Sequence, residues 1–304
     1  IFALLSGQAA ITSPANAATV GSAFVIQGTA TTTSGAIGSV SFYDGPTLLG
    51  TSTSFPYRYN WTNASVGSHA LTVVAYDANG NPTPRSAAIN VNVVAGAGSL
   101  TRGPYLQKGA PNQMTIRWRN TLYDLGRVRF GATPATLNQT VDESEPPSGQ
   151  FDHVVTLTGL TANTTYYYNI GAGGDALAPA GADNPADFTF TTPPIAGTAI
   201  NTRIWVLGDA GTSNSNQAAV RDAFYNFTGP RVPNLVLQLG DNAYNSGQDS
   251  EYQTAMFNMY PTMLRKTVFW PCLGNHETAQ STTYVDTYPY FDIYTLPTMG
   301  EAGG

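Results

Sequence analysis

Three short stretches set a polar side chain directly after a glycine: Gly208-Asp209 in "VLGDAG", Gly240-Asp241 in "QLGDNAY" and Gly274-Asn275 in "LGNHE". Tyr244 follows Asp241 by three positions, and His276 and Glu277 follow Asn275. Asp209, Asp241 and Asn275 are 32 and 34 residues apart, a spacing that suits one strand–helix unit each. Two converging carboxylates repel each other unless a cation sits between them. An oxygen-rich set with one carboxylate free to bridge suits a pair of metal ions about 3.5–4 Å apart. The glycine before each polar residue permits a tight turn and close backbone approach. A bland alternative is that Asp209 and Asp241 cap the helices that follow. It accounts for one aspartate better than for a pattern that occurs three times, the third time with a histidine attached.

The elements that must position these residues are legible from apolar patterning. "RIWVLGD", "NLVLQLGD" and "TVFWPCLGNHE" are apolar runs, separated by the helically spaced "NSNQAAVRDAFYNF" and "DSEYQTAMFNMY". Asp249 or Ser250 is the expected N-cap of the second helix. Strand, helix, strand, helix, strand predicts a parallel sheet whose strands are buried on both faces and whose carboxyl ends lie along one edge. Cys272, inside the third run, reads as a small apolar residue.

Upstream the pattern is all β. Residues 1–97 form short alternating strands with Asp-Gly at 44–45 and Asn-Gly at 79–80, both hairpin signals. "VSFYDGPTLLGTS" and "PYRYNWTNASVGSHALTVVAYDANG" resemble the bacterial immunoglobulin-like modules appended to exported enzymes. Such a module implies an architecture and no activity; His69 reads as a strand residue. Residues 98–194 form a second β unit, with "MTIRWRN" alternating around Trp118. Leu160 followed by Tyr166 resembles the tyrosine corner of fibronectin type III folds, where a hydroxyl pins a turn. "VDESEPPSG" at 141–149 reads as a solvated loop, His153 beside it as a strand residue, and Arg117, Arg119, Arg127 and Arg129 as a solvated strand face.

Composition narrows the classes. Charged residues make up 11 % of the 304, the net charge is −6, and Lys108 and Lys266 are the only lysines. No basic stripe exists of the kind that binding a phosphate backbone requires, which argues against a nucleic-acid partner. A single cysteine excludes an intrachain disulfide, and no apolar run reaches the roughly 20 residues of a membrane-spanning helix.

In order and spacing, "GDAG", "GDNAY" and "GNHE" resemble the first metal-binding blocks of calcineurin-like metallophosphoesterases, and among these the purple acid phosphatases. Gly211 stands where most relatives of the wider family have a histidine, and Tyr244 matches the phenolate ligand that colours the purple enzymes. "TRGPYLQKGAPNQMTIRW" and "LTANTTYYYNIG" resemble that family's N-terminal fibronectin-like domain. The fold class expected is therefore multidomain. Two all-β sandwiches, Ig-like over 1–97 and fibronectin III-like over 98–194, precede the first half of an α/β metallophosphoesterase sandwich over 195–304.

The resemblance implies an acid phosphatase acting on a small phosphate ester through a dinuclear centre. That centre would hold Fe(III) and a divalent ion (Zn, Mn or Fe). Asp209 and Tyr244 would bind iron, Asp241 would bridge, Asn275 would bind the divalent ion, and His276 would serve the leaving group as donor or general acid. Glu277 completes the motif and would orient its neighbours, without direct chemistry. Three further histidine ligands are expected by the family pattern, yet His69, His153 and His276 are the only histidines. The chain therefore reads as a piece cut at both ends, with uncovered apolar strand faces and no turnover by itself. Two alternatives stand beside this reading. One is a Mn/Zn phosphodiesterase or nucleotidase on the same fold, against which Tyr244 argues. The other is a non-catalytic adhesive or spacer protein whose Ig-like domain binds a surface or polymer. A secreted or cell-envelope location is expected from the β-sandwich modules.

Overall fold

The computed structural model describes residues 6–33, 35–96, 98–144, 151–172, 175–181, 183–279 and 287–297. Part of the acidic 141–149 stretch and the last residues, 298–304, lie outside them. The first segment contributes β1 (Gly7–Ser13), β2 (Ala18–Val20), β3 (Phe24–Thr32), β4 (Ile37–Asp44), β5 (Thr47–Ser52), β6 (Tyr57–Trp61), β7 (Gly67–Asp77) and β8 (Ile89–Val93). They form two sheets, β1-β3-β6 and β2-β8-β7-β4-β5, around Phe24, Phe42, Leu71, Val73 and Val91. The Asp-Gly pair makes the expected hairpin between β4 and β5, with Gly45 at φ +51°. At the Asn-Gly pair the Asp77 carboxylate accepts the Asn79 and Asn81 N–H groups. His69 is a strand residue held by Asp44 (2.7 Å) and packed edge-on against Trp61.

The second segment adds β9 (Leu100–Ala110), β10 (Gln113–Asn120), β11 (Gly126–Gly131), β12 (Gln139–Asp142), β13 (Asp152–Thr158), β14 (Thr165–Ala172), β15 (Asp175–Ala178) and β16 (Thr189–Thr191). Trp118, Ile116, Phe130, Tyr168 and Phe190 form its core. The Tyr166 hydroxyl accepts the Thr161 N–H at 3.0 Å, so the tyrosine corner is formed. The third segment supplies β17 (Ile204–Leu207), α1 (Ser215–Thr228), β18 (Leu235–Gln238), α2 (Asp249–Tyr252), α3 (Pro261–Leu264), β19 (Val268–Pro271) and α4 (Pro289–Ile293). Strands β17, β18 and β19 are parallel and in register, with Val206, Leu237 and Trp270 in one row. The sheet continues into the second segment through β19 and β9, giving the order β13-β10-β9-β19-β18-β17.

Four expectations are corrected. The parallel strands are not buried on both faces, which agrees with the expectation of uncovered apolar faces and not with that of a doubly covered sheet. Trp205, Leu207, Val236 and Phe269 lie under the helical layer, whereas Ile204 and Val206 on the other face of β17 are 47 % and 52 % exposed. A strand covered by one layer alternates, because successive side chains point to opposite faces. The arginines of β10 are not solvated: Arg117 and Arg119 are buried at the contact with the third segment, where Arg117 donates to Thr295 and to the Asp292 carbonyl. Arg127, by contrast, pairs with Asp142 at the surface.

Glu143, expected in a solvated loop, is buried with His153 and Asp124. The His153 ring lies over Trp118, with Nδ1 2.7 Å from Glu143 and Nε2 3.3 Å from Asp124, the latter an ion-pair contact rather than an aligned hydrogen bond. Finally, Gln248 and neither Asp249 nor Ser250 is the N-cap of α2, which widens at once into a π-turn over Gln253–Phe257.

Candidate metal centre at the strand ends

The three glycine-plus-polar pairs leave the sheet side by side, as parallel strands require. Gly211 N donates to the Asp241 carbonyl and Tyr244 N to the Gly211 carbonyl, each at 3.0 Å, so the loops after β17 and β18 are zipped together. Gly211 has to be glycine. A Cβ there would sit 2.4 Å from Ala243 N and from the Asn242 carbonyl carbon, which leaves no room for a histidine side chain. Gly240 and Gly274 also face each other closely, since a Cβ on Gly240 would lie 2.9 Å from the Gly274 Cα. Asp209 and Asp241 both take positive φ, +53° and +51°. Aspartate tolerates this region better than most residues, and such backbone gathers at functional sites.

The capping alternative fails on geometry. Asn214 is the N-cap of α1, its side chain accepting the Asn216 and Gln217 N–H groups, and Gln248 precedes α2. Asp209 and Asp241 turn instead to a common point. Tyr244 Oη stands 3.1 Å from Asp209 Oδ1 and 3.1 Å from Asp241 Oδ2. The phenol has one hydrogen for two carboxylates. Among the described residues no lysine or arginine pairs with either one. Burial, then the hydrogen bonds to Asp209 and Asp241, raise the Tyr244 pKa above the ordinary phenol range. Three hard oxygens with uncompensated negative charge are a donor set suited to a hard cation, which would reverse that shift and favour the phenolate. The side chains by themselves do not form a cluster of three or more His, Cys, Asp or Glu donors among the described residues. The fit therefore depends on the phenol oxygen.

The third loop meets the second through Glu277, the residue expected to orient its neighbours. Glu277 is 1 % exposed. Its carboxylate accepts Asp241 N (3.0 Å), Asn242 N (2.5 Å), Ala243 N (3.3 Å) and Gly274 N (2.6 Å). One buried anion thus satisfies four backbone donors from two loops and fixes Asp241 against Gly274. A glutamate three residues past a strand-end glycine was the available signal, but three of its four partners lie more than 30 positions upstream. His276 N donates to Asp241 Oδ1 (3.1 Å). Its ring packs on Tyr244 at 4.3 Å, and Nδ1 lies 2.6 Å from the Asn245 carbonyl. Asn275 is exposed at the same edge, joined to the set only through its neighbours. Cys272 is exposed rather than buried, because β19 ends at Pro271 and the chain leaves the sheet there.

Three family models match the chain in succession. They are a bacterial Ig domain over residues 8–73, the N-terminal domain of purple acid phosphatase over 102–192 and the calcineurin-like phosphoesterase over 202–302. Together they support a phosphoesterase preceded by Ig-like and fibronectin-like domains, a class whose members generally use a dinuclear metal centre. Among solved structures, the fibronectin(III)-like modules of Clostridium thermocellum CbhA are 28 % identical. They match 28 % of this chain and 94 % of their own, at a TM-score of 0.27. The structure of PhoD is 15 % identical over 62 % of this chain, at a TM-score of 0.44, and the match spans 41 % of the PhoD chain. No curated protein matches the sequence. No helix among the described residues is long and apolar enough to cross a membrane.

Proposed function

We infer that this chain carries part of a dinuclear site for phosphoric monoester hydrolysis of the purple acid phosphatase kind. Asp209 and Tyr244 would hold Fe(III), Asp241 would bridge, and Asn275 would face a divalent ion, zinc, manganese or iron. The observation that carries the reading is the single phenol oxygen within 3.1 Å of both carboxylates. When bound, the ions supply Lewis acidity to the phosphoryl oxygens and make a water acidic. The chain's own residues supply the rest. Glu277 fixes the bridging aspartate against the third loop. The Asn245 carbonyl accepts the Nδ1 hydrogen of His276, so a proton for the leaving alkoxide can come only from Nε2, and only when the ring is an imidazolium. An extracytoplasmic location fits the two β-sandwich modules, and the division at 97/98 and 194/195 fits the three matched segments.

Ferric iron titrated into the chain tests the metal assignment. A visible phenolate-to-iron band that is absent in Tyr244→Phe is the expected result. A colourless chain that binds Mn or Zn and cleaves phosphodiesters would favour the nucleotidase or phosphodiesterase reading. A chain that binds no metal at all would favour the non-catalytic one.

A further inference from the structure

The loop that carries Tyr244 is held from two directions. From one, the Glu251 carboxylate accepts the N–H groups of Asn245 (2.6 Å), Ser246 (3.0 Å) and Gln248 (2.9 Å). This is the loop whose Asn245 carbonyl takes the His276 ring N–H and whose Tyr244 hydroxyl meets both carboxylates. From the other, Asp249, two positions before Glu251, is gripped by the fibronectin-like sheet. Arg119 of β10 reaches Asp249 Oδ2 at 2.7 Å and Oδ1 at 2.8 Å. Arg102 of β9 reaches Oδ1 at 3.1 Å and Gln253 Oε1 at 2.9 Å, with its guanidinium 4.1 Å over the Phe257 ring. Arg119 is in turn aimed by Asp152, at 2.7–3.1 Å. Arg102 has no exposed surface and Arg119 has 8 %. Guanidinium forks fixed by burial define a direction that a solvated pair would not.

We propose that Arg102 and Arg119 are positioning residues for the strand-end site: by clamping Asp249 they set where Glu251 stands, and so hold the 244–248 loop against His276 and the two aspartates. The fibronectin-like domain is then part of the site's supporting shell rather than a spacer ahead of it. The consequence for catalysis rests on the function proposed above. The geometry itself does not, and it is tested without metal.

The experiment is amide hydrogen exchange on the metal-free 304-residue chain carrying Asp249→Asn, together with 15N spectra of the histidines. At least tenfold faster exchange at Asn245, Ser246 and Gln248 is expected, with the His276 ring moving from the Nδ1–H to the Nε2–H tautomer. Exchange within twofold of wild type at these three amides, with the His276 tautomer unchanged, overturns the proposal even if α2 itself loosens, because Asp249 would then only fasten the helix. Arg119→Lys keeps the charge but loses the fork, and serves if Asp249→Asn does not fold. About threefold faster exchange at the same amides is expected, and no change overturns the proposal. Ferric iron added to wild type separates the two readings: absence of a visible band removes the phosphatase assignment and leaves the exchange result standing.

Discussion

Two carboxylate clusters in this molecule are treated in opposite ways. At the joint between the first and second segments, Asp124 and Glu143 are buried against His153, and each charge has a partner. Glu143 also accepts the Gly126 and Val154 N–H groups, and Asp124 accepts from Asn120. The same joint is stitched by backbone bonds from Gly21 to Tyr123 and from Leu125 to Ala23. At the strand ends, Asp209 and Asp241 converge with only one phenol hydrogen between them. The first cluster uses its charges for structure; the second leaves its negative charge uncompensated, in backbone that few residues besides glycine, asparagine and aspartate accommodate readily. Converging charge left without a cationic partner at a sheet's carboxyl edge is what the proposed metal site predicts.

That contrast can be broken by substitution. Glu143→Ala should cost about 3–5 kcal/mol, because it strands a buried imidazolium contact and two backbone donors. Denaturant unfolding followed by Trp118, which stacks on His153, measures it; a loss below about 1 kcal/mol would mean that the joint is not charge-paired. Next comes pH. Burial works against the charge of His153, but Glu143 and Asp124 outweigh it and push the imidazole up to about 9. A pKa raised on folding gives stability that is complete below the unfolded value near 6.5 and lost as pH rises through the folded value. About 3 kcal/mol should therefore disappear from this joint between pH 6.5 and about 9, and the His153→Gln variant should show no such slope.

Smaller effects sharpen the comparison from the other side. Gly211→Ala should cost about 1–3 kcal/mol by forcing a Cβ against the Asn242–Ala243 backbone. It should also weaken metal binding, as read by isothermal titration. Asp209→Asn should do what no substitution at the joint can: leave metal-free stability unchanged or improve it by up to about 1 kcal/mol, since it relieves repulsion, while abolishing the ferric band. Clear destabilisation by Asp209→Asn would show that the strand-end carboxylates are paired after all. Val206→Thr, on the open face of β17, should change stability by less than about 0.5 kcal/mol and lower self-association measured by light scattering.

Much of the site was legible in the sequence because its pieces are local. A glycine before each aspartate, a tyrosine three residues on and alternating or continuous apolar runs are read within a few positions. They placed Asp209, Asp241 and Tyr244 at one sheet edge. The hairpin at Asp44-Gly45 and the tyrosine corner at Tyr166 were legible for the same reason: each is a turn whose chemistry is written where it occurs. The misreadings fell on residues whose neighbours come from elsewhere. Arg119 looked like a solvated face residue because Asp249, its partner, lies 130 positions away. Glu143 looked like loop acid because nothing in "VDESEPPSG" reveals that His153 folds over it.

The sequence by itself thus determined the order of the β units, the parallel strand–helix pattern and the polar residues presented at its carboxyl edge. Those follow from backbone periodicity and turn chemistry, which act over one element. Only the tertiary structure decided that Glu277 would bind four amides of two loops, that the fibronectin-like sheet would run on into the parallel one through β9 and β19, and that Arg119 would grip Asp249. Those outcomes depend on which surfaces meet when separate elements pack, and a buried charge acquires its partner only at that meeting.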